Sequence, residues 1–336
     1  MRVFQVEEAW SMDHVRLGTR PDPRAGRGQI RLKMLASALN YRDLMVPARG
    51  YGSKQDKLPL ILLGDGVGIV ESIGEAVSRV AIGDRVCPLF AQSWLGGEPD
   101  DDKLWHTLGC ERDGTMAEFM VLPEDAVAPA PAHLDDIEAA TLPCAALTAW
   151  RALVTEGAVK AGDQVLVQGT GGVSIFALQF AKALGASVIV TSSSDEKLAR
   201  AIAMGADAGI NYRTTPEWGK RARELAGGGV DHVVEVGGQQ TLPQSLRAIR
   251  VGGTISMIGV LSGGSIETRL GPIVTRHIRL QGITLGSRDD FMAMTRAILQ
   301  HKLRPVIDRV FEFEALRDAF DHLAKGTHFG KICIRH

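Results

Sequence analysis

The chain has 336 residues, a formal net charge of −1, 45% hydrophobic residues and 23% charged residues. This length predicts about two domains, and the balance of residue types is that of a soluble globular protein. The near-neutral charge, without a basic stripe, argues against nucleic acid or an anionic membrane as the main partner. The four widely spaced cysteines predict a reducing compartment. Because the acidic N-terminus lacks a signal-peptide core and no apolar run approaches ~20 residues, we expect a cytoplasmic protein without membrane spans.

The first third of the chain is predicted to be rich in β-strands. Alternation of Ile30, Leu32 and Met34 with more polar residues is typical of a half-buried strand. Glycine-punctuated apolar runs at 59–74 and 82–86 predict further short strands, and together they suggest a small, irregular β-barrel. The polar, glycine-rich stretch 91–115 is predicted to be a surface loop or lid.

The middle of the chain changes to an alternation of strands and helices. Asp135 and Asp136 are predicted to cap a helix, and another helix is predicted to begin at Pro143. From residue 164 the rhythm is that of a parallel sheet with helices on both faces. Strands are predicted at 164–168, 187–191, 208–211, 230–236, 254–260 and 279–285, with helices near 172–184, 195–204, 216–226, 241–250 and 288–300. After Pro305 we expect a strand, a helix at about 314–325 and a last strand.

The segment after the strand 164–168 has the pattern of a dinucleotide-binding βαβ unit. A glycine at 169 permits a tight turn, and a glycine at 171 lets backbone amides approach a pyrophosphate at a helix N-terminus. Ser174 stands where a third glycine is usual, and an ordinary glycine-rich turn is the alternative interpretation. The residues predicted to bind the cofactor here are Gly169, Thr170, Gly171, Gly172 and Val173.

The end of the next strand bears on the choice between NADP(H) and NAD(H). No carboxylate stands at the tip, where serine hydroxyls and a following lysine suit a 2′-phosphate. We therefore predict NADP(H), with Ser192, Ser193 and Lys197 among its contacts. NAD(H) is the alternative, because Asp195 could swing back towards a ribose hydroxyl. A helix cap at Ser194 with a charged first turn explains the same residues without a cofactor.

Several segments together resemble the medium-chain dehydrogenase/reductase superfamily over essentially the whole chain: 64–74, 83–86, 142–150, 169–173 and 330–334. The segment 39–44, Leu-Asn-Tyr-Arg-Asp-Leu, is similar to the zinc-free branch that includes quinone oxidoreductases and enoyl reductases. The resemblance implies an α/β fold class, with a Rossmann parallel-sheet domain and a GroES-like β-barrel catalytic domain. We expect the catalytic domain at 1–125, completed by 301–336, and the NADP(H)-binding domain at 126–300. The branch also implies a homodimer, joined through the strand near 254–260 or 279–285.

The resemblance also identifies the positions at which zinc-dependent members hold their metal. By motif, Asn40 stands at the first cysteine position, Gly64 at the histidine and Asp65 at the following glutamate, and only Cys144 matches. One thiol and one carboxylate cannot make a tight tetrahedral site, and the insertion has only Cys110 towards a structural zinc cluster. We therefore expect no zinc.

Without a Lewis acid, hydrogen-bond donors must polarise the substrate oxygen. This predicts a metal-free, NADPH-dependent oxidoreductase that acts on a small molecule, a conjugated carbonyl or a quinone. The alternative within the superfamily is an alcohol dehydrogenase or carbonyl reductase. The alternative of another class is a non-catalytic, crystallin-like NADPH-binding protein.

Tyr41 and Asn40 are the predicted catalytic residues. Tyr41 is the candidate proton donor, and a half-buried barrel residue is the plainer interpretation. Asn40 could bond the substrate oxygen or the nicotinamide ribose, and a turn-forming asparagine is its alternative. Tyr51 resembles the family's mobile loop at the mouth of the cleft, or is simply a surface aromatic.

Four further positions have structural interpretations. We expect Arg42 and Asp43 to form an ion pair and Asp65 to cap the glycine turn. Cys144 either faces the nicotinamide or is a small buried hydrophobe.

Further cofactor contacts follow from the resemblance and from the rule that ligands lie at the carboxyl ends of parallel strands. Thr148 is similar to the family's contact on the nicotinamide side, and Tyr212 to an adenosine-phosphate contact in NADP-dependent relatives. The remaining predicted contacts are Gly237, Gly259, Val260, Leu261, Gly286 and Ser287.

Overall fold

The computed structural model describes residues 1–50, 57–265 and 267–336, and it divides into two compact units. Unit 1 comprises Met1–Leu147 and Gly286–His336, and unit 2 comprises Thr148–Leu285. The sequence had suggested boundaries at 125/126 and 300/301. The observed limits differ because the helices Asp136–Ala139 and Arg288–His301 pack against strands of unit 1.

The described residues form sixteen strands and eleven α-helices. The strands are β1 Arg2–Val6, β2 Val15–Thr19, β3 Gln29–Ala38, β4 Leu60–Ile61, β5 Asp65–Ile73, β6 Arg85–Pro88, β7 Phe119–Pro123, β8 Val127–Pro129, β9 Gln164–Gln168, β10 Ser187–Ser192, β11 Ala208–Asn211, β12 Val230–Glu235, β13 Ile249–Met257, β14 Arg279–Gly282, β15 Ile307–Glu312 and β16 Lys331–Arg335. The helices are α1 Arg42–Met45, α2 Asp101–Trp105, α3 Asp136–Ala139, α4 Leu147–Trp150, α5 Gly172–Ala183, α6 Asp195–Ala203, α7 Trp218–Leu225, α8 Leu242–Ala248, α9 Gly271–Thr275, α10 Arg288–His301 and α11 Leu316–Ala324.

Unit 1 is built on a seven-stranded sheet that brings three distant chain segments together. Its order is β15-β16-β3-β5-β6-β8, with β7 also paired to β3, and a second sheet has the order β2-β1-β4. Ala38, at the end of β3, pairs with Asp65 at the start of β5 and with Cys333 near the start of β16. This register places Asn40, Asp65 and Lys331 at one end of the sheet.

The stretch 91–115 is more deeply built into unit 1 than a surface loop. Ala91 bridges to Thr107, and the side chains of Trp94, Leu108 and Cys110 are buried. Only the middle of the stretch, around α2, is largely exposed. The prediction of a surface loop or lid was therefore wrong for both ends of this stretch, because their apolar side chains pack inside unit 1.

Unit 2 contains the predicted parallel sheet. Six strands lie in the order β11-β10-β9-β12-β13-β14, and every pair is parallel. The chain order reverses between β9 and β12, which is the switch point where the carboxyl ends of strands leave a crevice. Strand β13 begins at Ile249, five residues before the predicted start, because Ile249 pairs with Val230 across a register shift. The fold class predicted from sequence is confirmed.

A search of the described residues for membrane-spanning helices finds none of sufficient length and apolar character.

Candidate active site and cofactor site

The glycine-rich turn after β9 is a tight turn that leads directly into a helix, as the sequence predicted. Gly169 adopts φ of +71°, a conformation that favours glycine, and its N–H donates to the Thr191 carbonyl at 2.8 Å. Gly171 precedes the first turn of α5, a 12-residue helix. Ser174 is buried and its Oγ donates to the Gln168 carbonyl at 2.7 Å. The serine that replaces the third glycine therefore connects helix α5 to strand β9.

The tip of β10 brings several predicted contacts together. The Tyr212 N–H donates to the Ser192 carbonyl at 3.0 Å, and the Tyr212 side chain is 43% exposed. Asp195 accepts a hydrogen bond of 2.7 Å from Asn211 Nδ2, which holds its carboxylate in the first turn of α6. Ser194 caps this helix by accepting from the Lys197 N–H, so the structural interpretation of this stretch is confirmed.

A buried carboxylate that sequence reasoning missed organises the end of β12. Glu235 is 0% exposed, and its Oε1 accepts from the N–H groups of Gly237 and Gly238 at 2.9 and 3.0 Å. Its Oε2 accepts from Gln168 Nε2 at 2.7 Å, which joins the ends of the central strands β12 and β9. The only sequence signal was a carboxylate at the end of an apolar strand, directly before a glycine pair.

Glycine is required at two predicted positions of this crevice. A Cβ at Gly237 would lie 2.3 Å from Thr241 Oγ1, and a Cβ at Gly259 would lie 2.3 Å from the Val236 carbonyl oxygen. Val260 and Leu261 follow and are 56% and 50% exposed. Two exposed apolar residues therefore follow turns that are tightly packed.

Three further predicted cofactor contacts are Thr148, Gly286 and Ser287, and two of them make structural hydrogen bonds within their own unit. In unit 2, Thr148 Oγ1 donates to the Thr284 carbonyl at 3.0 Å. Gly286 and Ser287 begin the second segment of unit 1, where Ser287 caps α10 in a capping box with Asp290. Their assignment to the cofactor stays a prediction.

In unit 1, Asn40, Asp65 and Lys331 form a buried hydrogen-bonded cluster. Lys331 Nζ donates to the Leu39 carbonyl and to Asn40 Oδ1, both at 2.6 Å, and lies 3.3 Å from Asp65 Oδ2. Asn40 Nδ2 donates to the same Asp65 oxygen at 2.8 Å. The expectation that the Asp65 side chain caps the glycine turn was wrong, because this carboxylate bonds to Asn40 and Lys331.

A second charged pair lies beside this cluster. Arg42 Nη1 is 3.2 Å from Asp43 Oδ1, and Asp43 Oδ2 accepts from the Asn40 N–H at 2.8 Å. The predicted ion pair is thus confirmed. The Arg42 guanidinium also stacks on the Phe90 ring, with 4.7 Å between guanidinium carbon and ring centroid.

Burial raises the pKa of several acidic groups in this region, among them Asp43, Asp65 and Cys144. It raises the pKa of Asp65 to about 6, although Lys331 and Asn40 both favour the ionised form. It also raises the pKa of Cys144 to about 12, and the nearby Asp65 charge adds to this effect. The thiol of Cys144, which is partly exposed, is therefore protonated at neutral pH.

The four residues at the metal-ligand positions do not fit a zinc ion. The Asn40 carboxamide is bonded at both ends, and the ammonium of Lys331 lies against Asp65. A Cβ at Gly64 would lie 2.4 Å from Phe90 Cε2, so the phenyl ring fills the space that a histidine needs. One thiol and one carboxylate oxygen without a hydrogen-bond partner, Asp65 Oδ1, are too few donors for a tetrahedral zinc site.

The predicted proton donor Tyr41 lies immediately before α1, and its side chain is 49% exposed. It is adjacent in sequence to Asn40, which anchors the cluster. The phenol is accessible to a substrate, and its role as proton donor stays a prediction. Tyr51 lies outside the described residues.

Comparison with known proteins identifies the family. The model of the zinc-binding dehydrogenase family matches residues 172–300, and that of the alcohol dehydrogenase GroES-like domain matches residues 26–132. A zinc-type alcohol dehydrogenase-like protein of Schizosaccharomyces pombe is 44% identical, covering 92% of this chain and 91% of its own. An acryloyl-coenzyme A reductase of Sulfurisphaera tokodaii is 29% identical over 94% of both chains.

Solved structures agree with the family assignment. A candidate alcohol dehydrogenase from Sinorhizobium meliloti 1021 superposes with a TM-score of 0.94 at 44% identity, covering 100% of this chain and 98% of its own. An NAD-dependent alcohol dehydrogenase superposes with a TM-score of 0.91 at 34% identity over 100% of both chains. The chain therefore belongs to the medium-chain dehydrogenase/reductase superfamily, and it is an NAD(P)H-dependent oxidoreductase.

Proposed function

We propose that this oxidoreductase is a metal-free, NADPH-dependent reductase of conjugated carbonyls or quinones. The observation that carries the proposal is that Asn40 and Asp65, at two of the metal-ligand positions, are bonded to each other and to the buried Lys331. Most polar atoms of this cluster are already hydrogen-bonded to one another, so few are available as ligands for a zinc ion. The polarising groups of the reaction are then hydrogen-bond donors of the chain.

The cofactor is proposed to lie along the carboxyl ends of the strands of unit 2. Its pyrophosphate would meet the backbone of Gly169–Val173 at the N-terminus of α5. Its adenosine end would meet Ser192, Ser193, Lys197 and Tyr212 at the tip of β10. NADP(H) is favoured because the Asp195 carboxylate is held by Asn211, which leaves the serine hydroxyls at the tip. NAD(H) is the alternative, supported by the name of one solved relative.

Tyr41 and Asn40 are proposed to act on the substrate. A reduced nicotinamide supplies hydride when it is bound. The Tyr41 phenol delivers the proton that balances the added hydride, and it regains a proton from solvent because its side chain is half exposed. The second N–H of Asn40 Nδ2 donates to the oxygen on which negative charge develops.

Conjugated carbonyls and quinones suit such a site because hydride arrives at a carbon remote from the oxygen. The charge then spreads onto an oxygen that hydrogen bonds can stabilise. A relative named acryloyl-coenzyme A reductase supports this substrate class, since an acryloyl thioester is a conjugated carbonyl. Relatives named alcohol dehydrogenases support the alternative of a simple alcohol or carbonyl substrate.

The test is a substrate panel with purified, chelator-treated protein. NADPH or NADH is mixed with enones, quinones, aldehydes and alcohols, and the nicotinamide absorbance is followed. We expect NADPH oxidation by enones or quinones that survives chelation, and a fall in kcat for Tyr41→Phe with an unchanged Kd for NADPH. Oxidation of simple alcohols that chelation abolishes would overturn the proposal. Tight NADPH binding without turnover on any substrate would favour the non-catalytic alternative.

We also propose a homodimer joined through β14. The edge strand β14 is favoured over the alternative near 254–260, because β13 pairs on both sides within the sheet. Leu270, Val274 and Leu280, in and near this edge, are 67%, 70% and 40% exposed. Light scattering after size exclusion should give twice the 36.1 kDa chain mass, and Leu280→Lys should shift the mass to that of a monomer. A monomeric wild type would refute this.

The cytoplasm is proposed as the compartment on the strength of the cysteines. All four are free thiols, and Cys87, Cys110 and Cys333 are buried. Such a set is typical of proteins kept in reducing surroundings. Fractionation of cells that express the tagged chain should recover it with cytoplasmic markers, and recovery with secreted proteins would contradict this.

A further inference from the structure

Lys331 is a buried cation for which sequence reasoning found no role. It is the first residue of β16, and its side chain is 3% exposed. The three N–H groups of its ammonium match three acceptors: the Leu39 carbonyl, Asn40 Oδ1 and Asp65 Oδ2. A buried ammonium is tolerated only with such complete compensation.

The contacts of Lys331 determine how the Asn40 side chain is oriented. Since Lys331 offers only donors, the carboxamide oxygen must face it, and the carboxamide nitrogen must face Asp65. A flipped amide would point two N–H groups at the ammonium. In this orientation one N–H of Asn40 Nδ2 bonds to Asp65, and the second N–H remains available to another acceptor.

Among the described residues, the four buried charged side chains of this region balance one another. Arg42 and Lys331 carry two positive charges, and Asp43 and Asp65 carry two negative charges, all on buried side chains. A divalent cation added to this group would leave two positive charges uncompensated in a poorly hydrated environment. The cost of burying unpaired charge is several kcal/mol per ion.

We propose that Lys331 is a positioning residue of this site, whose tethered ammonium replaces a divalent cation and holds Asn40 in the orientation that presents its free N–H to the substrate. This inference rests on the proposed metal-free function. Lys331 itself touches neither substrate nor cofactor. It acts through Asn40 and Asp65, and it keeps the metal-ligand positions closed.

The test compares Lys331→Met with the double variant K331M/D65N. The single variant leaves the Asp65 carboxylate buried without its cation, so it is expected to lose stability as well as activity. The double variant removes both charges and should recover much of the thermal stability. If Lys331 positions Asn40, kcat of the double variant stays about 100-fold below wild type, because a small misplacement costs that much. The KM for NADPH should not change.

The matched control is the ion pair of Arg335 and Glu312, which joins the same strand β16 to β15 on the surface. The double variant R335M/E312Q should leave kcat and melting temperature unchanged. If both Lys331 variants prove insoluble, Lys331→Arg retains the charge with a larger, planar group and should still lower kcat. Wild-type kcat in K331R, or in K331M/D65N once its stability recovers, would overturn the inference and leave a purely structural lysine.

A metal assay separates this inference from the proposed function. Wild-type protein purified from zinc-supplemented cells should contain no stoichiometric zinc and should keep full enone or quinone reductase activity. A stoichiometric, activity-linked zinc in the wild type would overturn both proposals. An active, metal-free wild type whose kcat is insensitive to the Lys331 substitutions would overturn only the role of Lys331.

Discussion

Replacement of Glu235 by glutamine tests whether the buried carboxylate organises the proposed cofactor crevice. The wild-type carboxylate accepts five hydrogen bonds, two from backbone N–H groups of Gly237 and Gly238. The other three come from the side chains of Gln168, Thr241 and Ser245. An amide of the same shape keeps only one acceptor atom, so its nitrogen must face donors.

The structure indicates which end the amide nitrogen takes and what this costs. The backbone N–H groups on Oε1 cannot reorient, so the oxygen of the new amide should stay there. The nitrogen then replaces Oε2, where the Ser245 hydroxyl can turn to accept but Gln168 Nε2 cannot. One buried donor is left facing another donor, and a charge-assisted network becomes neutral. We expect a loss of about 2 to 4 kcal/mol in the free energy of unfolding.

Urea denaturation followed by fluorescence measures this loss. A titration with NADPH measures whether the crevice still binds the cofactor. The Kd for NADPH should rise, because the Gly237–Gly238 backbone loses its anchor. Glu217→Gln is the control, since this glutamate is exposed and pairs with Arg247 on the surface of the same unit, so its cost should stay within about 0.5 kcal/mol. If Glu235→Gln unfolds at the same urea concentration as wild type and binds NADPH equally well, the network does not have the role described here.

Three further predictions concern other parts of the chain. The pKa of Asp65 is about 6 in the folded chain and about 4 in an unfolded one, so the folded state holds this proton more tightly. The wild-type free energy of unfolding should therefore fall relative to that of Asp65→Asn by about 2 kcal/mol as the pH rises from 4 to 7. A difference in urea denaturation that does not change with pH would contradict this. Ser193→Asp should raise the KM for NADPH about tenfold or more by repulsion of the 2′-phosphate and spare NADH, whereas equal effects on both cofactors in steady-state assays would argue against this site. Gly64→Ala should lower the free energy of unfolding by about 1 to 3 kcal/mol, because its Cβ would lie 2.4 Å from Phe90 Cε2; an unchanged urea midpoint would show that the ring moves freely.

Local patterns along the chain were sufficient to predict most of unit 2. Each strand of a parallel sheet is a short apolar run, and each connecting helix has its own apolar stripe, so period and length identify them without knowledge of neighbours. The predicted strands at 164–168 and 208–211 coincide with β9 and β11. The glycine turn at 169–173 was equally predictable, because a positive φ at Gly169 is a property of the residue itself.

Contacts between residues far apart in sequence were decided only by the tertiary structure. Nothing local to Lys331 indicates that its ammonium meets Asn40 and Asp65, which are 291 and 266 residues away. Nor does a pattern reveal that Phe90 fills the space beside Gly64 or that Gln168 reaches Glu235. The sequence alone was enough to determine the fold class, the glycine-rich turn at 169–173 and the lack of cysteine or histidine at two of the metal-ligand positions, because those depend on residue type and spacing. What stands in place of the ligands depends on strand register across the sheet, since pairing of β3 with β5 and β16 converts distant residues into neighbours.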